Sequence, residues 1–508
     1  MKKRLATMFI MLLSLVLIFA GCGSNDTSKS DAAKTKDKEK DKTEVTSGAS
    51  KTSYTDPSKL KDTYDIVIIG AGGAGMSAAL EAKAKGLNPV ILEKMPLAGG
   101  NTMKASSGMN ASETKFQKEQ GINDSNDKFY EETLKGGHGT NDKEMLRFFV
   151  DNSASAIDWL DSMDIKLNNL TITGGMSEKR THRPEDGSAV GKYLVDGLLK
   201  NVQEEKIPVF VNADVKEITQ KDGKVTGVKV KLNNKDEKTI SSDAVVVTTG
   251  GYGANKDMIE KERPDLKGYV TTNQEGSTGD GIKMIEKLGG TTVDMDQIQV
   301  HPTVQQEKSY LIGEAVRGEG AILVSQDGKR FGNELDTRDN VTASINKLPE
   351  KSAYLVFDAG VKDRVKAIAQ YDEMGFVEEG KTIDELASKI NVPKEELTKT
   401  IDTWNTSVKN KKDEAYGRTT AMDNDVSKAP YYAIKIGPGI HYTMGGVKIN
   451  TNTEVLDKDG KPITGLFAAG EVTGGLHGGN RIGGNSVAEI IIFGRQAGDK
   501  SAEFVKAQ

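Results

Sequence analysis

One stretch near residue 70 restricts the possible folds more than any other part of this chain. Tyr64-Asp65-Ile66-Val67-Ile68-Ile69 ends in a continuous apolar run, the pattern of a strand buried on both faces of a parallel sheet. Gly70-Ala71-Gly72-Gly73-Ala74-Gly75 follows at once, a G-x-G-x-x-G turn. An alanine-rich helical segment then runs from Met76 to Lys85 and is ended by Gly86. A second strand, Pro89-Val90-Ile91-Leu92, delivers Glu93, 23 positions after Gly70. In a dinucleotide-binding βαβ unit, an acid about 20 residues on takes the ribose hydroxyls. Gly70 permits the turn, Gly72 lets backbone approach a pyrophosphate, Gly75 lets helix and strand pack, and the helix N-terminus offers free N–H groups to phosphate. Glu93 also disfavours a 2′-phosphate.

The 508 residues suffice for two or three domains. Lys+Arg number 69 against Asp+Glu 74, a net charge of -5, so no basic excess points to nucleic acid. The 55 glycines suit tight turns and close backbone approach to a ligand. Cys22 is the one cysteine, which leaves no set for a disulfide, a c-type haem or an iron–sulfur cluster. No residue set is assigned to a metal.

The N-terminal region is expected to stand outside the fold. Lys2, Lys3 and Arg4 precede an apolar run from Met8 to Ala20, too short for a membrane span of ~20 residues. It ends in Phe19-Ala20-Gly21-Cys22, which resembles a bacterial lipobox with Phe19 in place of the usual Leu. The expectation is a signal peptide and lipobox over 1–22 and lipidation of Cys22, giving an extracytoplasmic, membrane-anchored protein. Residues 23–60 are rich in Ser, Thr, Lys and Asp and read as a flexible polar tether.

Further motifs carry a resemblance. Gly99-Gly100-Asn101-Thr102, Ala105 to Asn110, Thr278-Gly279-Asp280-Gly281 and Gly465 to Glu471 resemble segments that wrap FAD in the fumarate reductase/succinate dehydrogenase flavoproteins. His301-Pro302-Thr303, Glu314-Ala315-Val316-Arg317-Gly318, Gly328 to Asp339, His441 to Gly446 and Gly479 to Asn485 follow in order. From about residue 62 onward the chain resembles the soluble fumarate reductases related to flavocytochrome c.

The resemblance implies an α/β fold: a Rossmann-like FAD-binding domain of the glutathione-reductase type with an inserted α+β clamp, or capping, domain. The expected boundaries are 61–296 and 443–508 for the FAD-binding domain and 297–442 for the clamp. It implies non-covalent FAD, because no His lies beside the Gly99–Thr102 segment, with contacts from Gly70, Gly72, Gly75, Glu93, Gly100, Asn101, Thr102, Ser107, Gly108, Asp280, Glu471, Asn485 and Ser486. It implies that His301, His441, Arg481 and Arg338 hold the substrate carboxylates, that Arg338 donates the proton, and that Glu314 and Arg317 return protons to it.

The chemistry independently suits these residue types. Guanidinium forks and imidazole donors match a dianion, and fixed cations stabilise charge developing on a carboxylate after hydride transfer from flavin N5. Arginine is an unusual acid, with a reference pKa of ~12.5–13.8, so residue chemistry alone would make Arg338 an electrostatic clamp. The implied reaction is reduction of fumarate to succinate, with electrons from a separate membrane or extracellular donor.

Gly313 departs from the resemblance, since a hydroxyl residue is expected just before the relay glutamate. That keeps other enoates open as substrates (urocanate, methacrylate or a cinnamate), and a non-catalytic flavin-binding lipoprotein remains the alternative from another class. An aspartate oxidase or ketosteroid dehydrogenase shares the scaffold but does not explain the Glu314, Arg317 and Arg338 set. His477 is read as flavin environment or structural, Arg330 as a surface residue of a hairpin, and Thr382 to Ser407 as helical without evident chemistry.

Overall fold

The computed structural model describes residues 54–235 and 237–508. The Cys22 junction lies outside the described residues, as does the expected tether as far as 53; its last residues are instead packed on the body, Thr55 N–H donating to the Val209 carbonyl at 2.9 Å and Leu60 being buried. Thr63–Ile69 lies between two parallel neighbours, Pro89–Leu92 and Glu237–Val247. Pro462–Ala468 adds a further parallel strand on Glu237–Val247, and Val209–Phe210 extends the other edge beside Pro89–Leu92. Ala213–Lys221, Lys224–Leu232 and Glu237–Val247 form an antiparallel meander on the same sheet. Ile66, Val67, Ile68, Val245, Val246 and Val247 are fully buried, as a strand covered on both faces requires.

The helix after the glycine turn spans Gly73–Ala84, starting three residues before the sequence pattern places it. Glycine ordinarily weakens a helix, but here close packing overrides propensity. Gly70 has φ +110°, and a Cβ there would lie 2.5 Å from the Thr248 carbonyl oxygen; one on Gly75 would lie 2.0 Å from the carbonyl oxygen of Gly70. The C-terminal helix, Asn485–Lys506, lies along Gly73–Ala84. Its Gly494 and Gly498 bring the two backbones together, since a Cβ on either would meet Ala74 or Ala78 backbone at 2.7 Å or less.

A second sheet is built on one long strand, Tyr431–Thr443. Its first half pairs antiparallel with Ala353–Asp358 and Val377–Gly380, and its second half with Ile298–Gln305. Alternation along Ala353–Asp358 feeds two separate cores. Leu355 and Phe357 join Ile345, Tyr371 and Ile434 on one face, while Val356 joins Leu386, Leu397 and Trp404 on the other. These two clusters draw only on residues between 312 and 436, whereas the core of the parallel sheet draws on segments from both ends of the described chain.

Two readings need correction. The expected helix over Thr382 to Ser407 is two helices, Ile383–Lys389 and Lys394–Asn410. Asn391 at φ 53° and Pro393 break it, the latter because proline disfavours helical geometry in the residue before it. Arg330 does sit at a hairpin-like bridge to Val324, yet it is buried. It bonds both oxygens of Glu334 at 2.7 and 2.8 Å and both of Asp413 at 3.1 and 2.9 Å, and it lies 4.5 Å from the Trp404 ring. Asp413 is 83 positions away, so no local pattern announces it.

Among the described residues no helix is long and apolar enough to cross a membrane. Gly498→Val should force the two long helices apart and cost about 1–3 kcal/mol. Chemical denaturation followed by circular dichroism checks this, and a stability equal to that of the parent would contradict the close packing.

Candidate active site

A cavity of about 510 Å³ runs from the glycine turn to the second sheet. At one end it is lined by Gly70, Gly72, Glu93, Asn101, Thr102 and Asp280, and at the other by Arg338, His441 and Arg481. Gly100, Ser107, Glu471 and Ser486 also line it. Two helices begin after glycine N-caps here, Gly73–Ala84 after Gly72 and Asn485–Lys506 after Gly484. Helix N-termini opened by glycines suit a pyrophosphate, so the residues present fit FAD.

The supports of this cradle are explicit. Glu93 accepts from the amides of Ala71 and Met95, both at 2.8 Å, which fixes its carboxylate at the end of its strand. Thr102 accepts from Gly73 N–H at 3.0 Å. Asp280 is held by Lys94 at 2.6 Å; burial pushes its carboxyl up, but Lys94 and Thr278 pull it below the usual range. Glu471 accepts from Thr443 N–H and from Asn101 Nδ2, both at 3.1 Å, and burial raises its carboxyl to about 7.

Three expected contacts stand behind the wall. Gly75 and Gly108 serve packing, since a Cβ on Gly108 would lie 2.4 Å from the carbonyl oxygen of His182. Asn485 is fully buried and accepts from Asn110 at 2.6 Å. His477 is buried against Glu489 at 3.0 Å and has a structural setting.

The far end is assembled by the long strand and its neighbours. Gln299 pairs with Tyr442 and Val300 with Ile440, so His441 is the unpaired residue of a bulge. A bulge of this kind re-aims a side chain out of the regular alternation. His441 Nδ1 lies 2.8 Å from the Thr272 hydroxyl. His301 sits behind His441 with ring centroids 5.1 Å apart, off the cavity wall. Its Nδ1 accepts from Thr303 N–H at 3.2 Å, which leaves the proton of the neutral ring on Nε2. Burial, and then the nearby arginines, push both imidazoles well below their ordinary range, so both rings are neutral; His441 donates from Nε2 when its Nδ1 accepts from the Thr272 hydroxyl.

Arg338 is the first residue of the helix Arg338–Asn346. Its Nε donates to Glu314 Oε1 at 2.8 Å and its Nη1 to Gln299 Oε1 at 2.9 Å. Arg481 Nη2 donates to the same Gln299 oxygen, also at 2.9 Å, and its guanidinium stacks 4.3 Å from the Tyr442 ring. Arg317 Nη2 lies 3.4 Å from Glu314 Oε1. Burial raises the Glu314 carboxyl, but Arg338 and Arg317 more than offset this and hold it at about 2. Burial and Arg338 lower Arg481 to about 10. Arg481 Nε and Glu314 Oε2 are buried without a partner among the described residues.

Gln299 is the residue that sequence reasoning misses. Its Nε2 donates to Asn480 Oδ1 and to the Arg481 carbonyl, which fixes the amide so that its oxygen faces two guanidinium groups. Position 299, two before His301 on the same strand, is the only sequence hint. In this cluster Arg317, Arg338 and Arg481 bear on the carboxylate of Glu314, with Glu471 acting on Arg481 from the cavity side, which leaves an excess of positive charge. Arg330 and Arg418 are balanced separately by Glu334 and Asp413. Gln299→Glu would cancel part of that surplus. With charges ~5 Å apart at an effective dielectric of ~20, the change of about 3 kcal/mol should weaken binding of a dicarboxylate by roughly a hundredfold. Titration of succinate against flavin absorbance checks this, and unchanged affinity would refute the account.

The model of the FAD binding domain family matches residues 65–487. The NADH:fumarate oxidoreductase of Klebsiella pneumoniae is 51% identical over 441 residues, covering 87% of this chain and 48% of that protein. A probable fumarate reductase of Shewanella frigidimarina is 41% identical, covering 87% of this chain and 75% of its own. The solved open conformation of a flavocytochrome c3 fumarate reductase superposes with a TM-score of 0.73 at 40% identity, covering 88% of this chain and 79% of that one. The chain thus spans about half of the first relative and three quarters of the second. With its FAD-fitted cradle and its buried arginine cluster, the chain belongs to the fumarate reductase flavoprotein family of FAD-dependent oxidoreductases acting on CH–CH bonds.

Proposed function

We propose that this protein reduces fumarate to succinate. The observation that carries the reading is the buried excess of positive charge at one end of the FAD cavity, which a dianionic enedioate offsets. When bound, non-covalent FAD supplies a hydride to one alkene carbon. Residues 297–442 act as the clamp over a body made of 61–296 and 443–508, and closure excludes water from the reacting carbons.

The chain's own groups do the rest. Arg481 and the neutral His441 hold one carboxylate, and Arg338 faces the carbon that accepts a proton. Arg338 Nε and Nη1 are engaged by Glu314 and Gln299, whereas Nη2 has no bonded acceptor among the described residues. Nη2 therefore gives the proton to carbon. Glu314 contacts both arginines and passes a proton from Arg317 to Arg338, and solvent restores it. The acid works at high intrinsic pKa because its acceptor is carbanion-like and the relay refills it. His301 orients His441 through the edge-on ring contact.

Arg338→Lys keeps the charge but removes the relay geometry. If Arg338 is the acid, kcat with reduced viologen as donor should fall by at least ~10²–10⁴ with normal flavin content. Near-normal kcat with a raised KM would leave Arg338 a binding clamp.

We also propose that Cys22 is lipidated and tethers the enzyme on the extracytoplasmic side, where a separate carrier reduces it. The lipobox-like Phe19-Ala20-Gly21-Cys22 supports this. Cys22→Ser should release an active enzyme from the membrane fraction, and full membrane retention of that variant would count against the anchor.

A further inference from the structure

Glycine at position 313, just before the relay glutamate, sits where two hydroxyl groups from distant segments converge. A Cβ on Gly313 would lie 3.0 Å from Ser106 Oγ and 3.5 Å from the Tyr371 hydroxyl. Gly313 N–H donates to that phenolic oxygen at 3.1 Å, so the oxygen is anchored while its own proton has no acceptor among the described residues. The Ser106 hydroxyl has no hydrogen bond among the described residues either. Both side chains line the same cavity as Arg338, His441 and Arg481. Tyr371 is nine-tenths buried or more, at 2% exposure, and burial raises its phenol to about 12, which keeps it a donor at all ordinary pH.

We propose that Ser106 and Tyr371 together form the recognition site for the second carboxylate of the substrate, the one remote from Arg481, and so select a dicarboxylate over a monocarboxylate enoate. The inference rests on the reading of the site as an enedioate reductase. The absence of a side chain at 313 is what admits the pair, because any β-carbon would crowd the serine hydroxyl. Two neutral donors suffice at this end, since the positive charge that balances the dianion lies in the arginine cluster. Tyr371 belongs to the helix Ala367–Glu373 and Ser106 to the loop that follows the turn Gly100–Lys104. The site is thus complete only when the two segments stand together.

The test compares fumarate with crotonate, in which a methyl group replaces one carboxylate. Purified holoenzyme carrying Ser106→Ala or Tyr371→Phe is assayed with both acids, and succinate affinity is measured by perturbation of the flavin absorbance. Each variant should lower the preference for fumarate over crotonate, as the ratio of kcat/KM, by about tenfold or more, the loss expected for one hydrogen bond to a charged group. Succinate should weaken in parallel. Gly313→Ser placed in the Ser106→Ala background should restore much of the preference, since its side chain occupies the vacated space, a recovery that a merely structural serine would not give. Preference and succinate affinity within twofold of the parent in both single variants would overturn the proposal. A parent enzyme that binds succinate but reduces no fumarate would overturn the activity while leaving the binding comparison to decide the role of the pair. A parent that binds neither acid would overturn both.

Discussion

One amide oxygen organises the reactive end of this molecule. Gln299 Oε1 accepts from Arg338 and Arg481 at 2.9 Å each, and these buried guanidinium groups would otherwise repel one another. A neutral acceptor holds them at fixed spacing without consuming their charge. A carboxylate there would bind them more tightly and remove the field that attracts an anion. Glu314 plays the opposite part. It neutralises one charge, and it is held ionised because two arginines outweigh its burial. The cluster therefore keeps a positive field and one ionised carboxylate in the same few side chains.

The backbone that carries these groups departs from regularity where chemistry is concentrated. The bulge at His441 turns the ring out of strand alternation. On the facing strand a second register shift falls between His301 and Val304, around Pro302, which has no N–H to give to a ladder. Thr303 N–H turns instead to the His301 ring and fixes its tautomer. Local loss of ladder pairing thus orients both histidines.

Much of this was legible in the chain, for a physical reason. The dinucleotide unit is written in contiguous residues, because a turn, a helix and two strands obey local rules, and Gly70, Gly72 and Glu93 stand where those rules place them. Arg338, His441 and Arg481 could be named because their charge and ordered motifs point to anion chemistry. Gln299 could not be, since an amide has no charge to draw notice and gains its role only when arginines 39 and 182 positions away arrive beside it. Arg330 was misread for a similar reason, its partners Asp413 and Trp404 being remote. Gly75, Gly108 and Asn485 show the converse limit: a motif marks residues the fold needs, without saying which of them face the ligand.

The strand Tyr431–Thr443 is continuous over 13 residues and serves two masters. Its first half is hydrogen-bonded into the clamp sheet, and its last residues carry His441 and lead directly into Gly445-Gly446 beside the parallel-sheet body. A clamp joined in this way cannot swing on loose loops alone, because one of its connections is a rod. At the bulge the rod loses regular pairing with Ile298–Gln305 on one edge, while Val270–Thr271 stays paired with Gly439–Ile440 on the other. A bend of the strand at this point would carry the His441 ring off the Thr272 hydroxyl, so the straightness of the strand and the geometry of the anion site are one property.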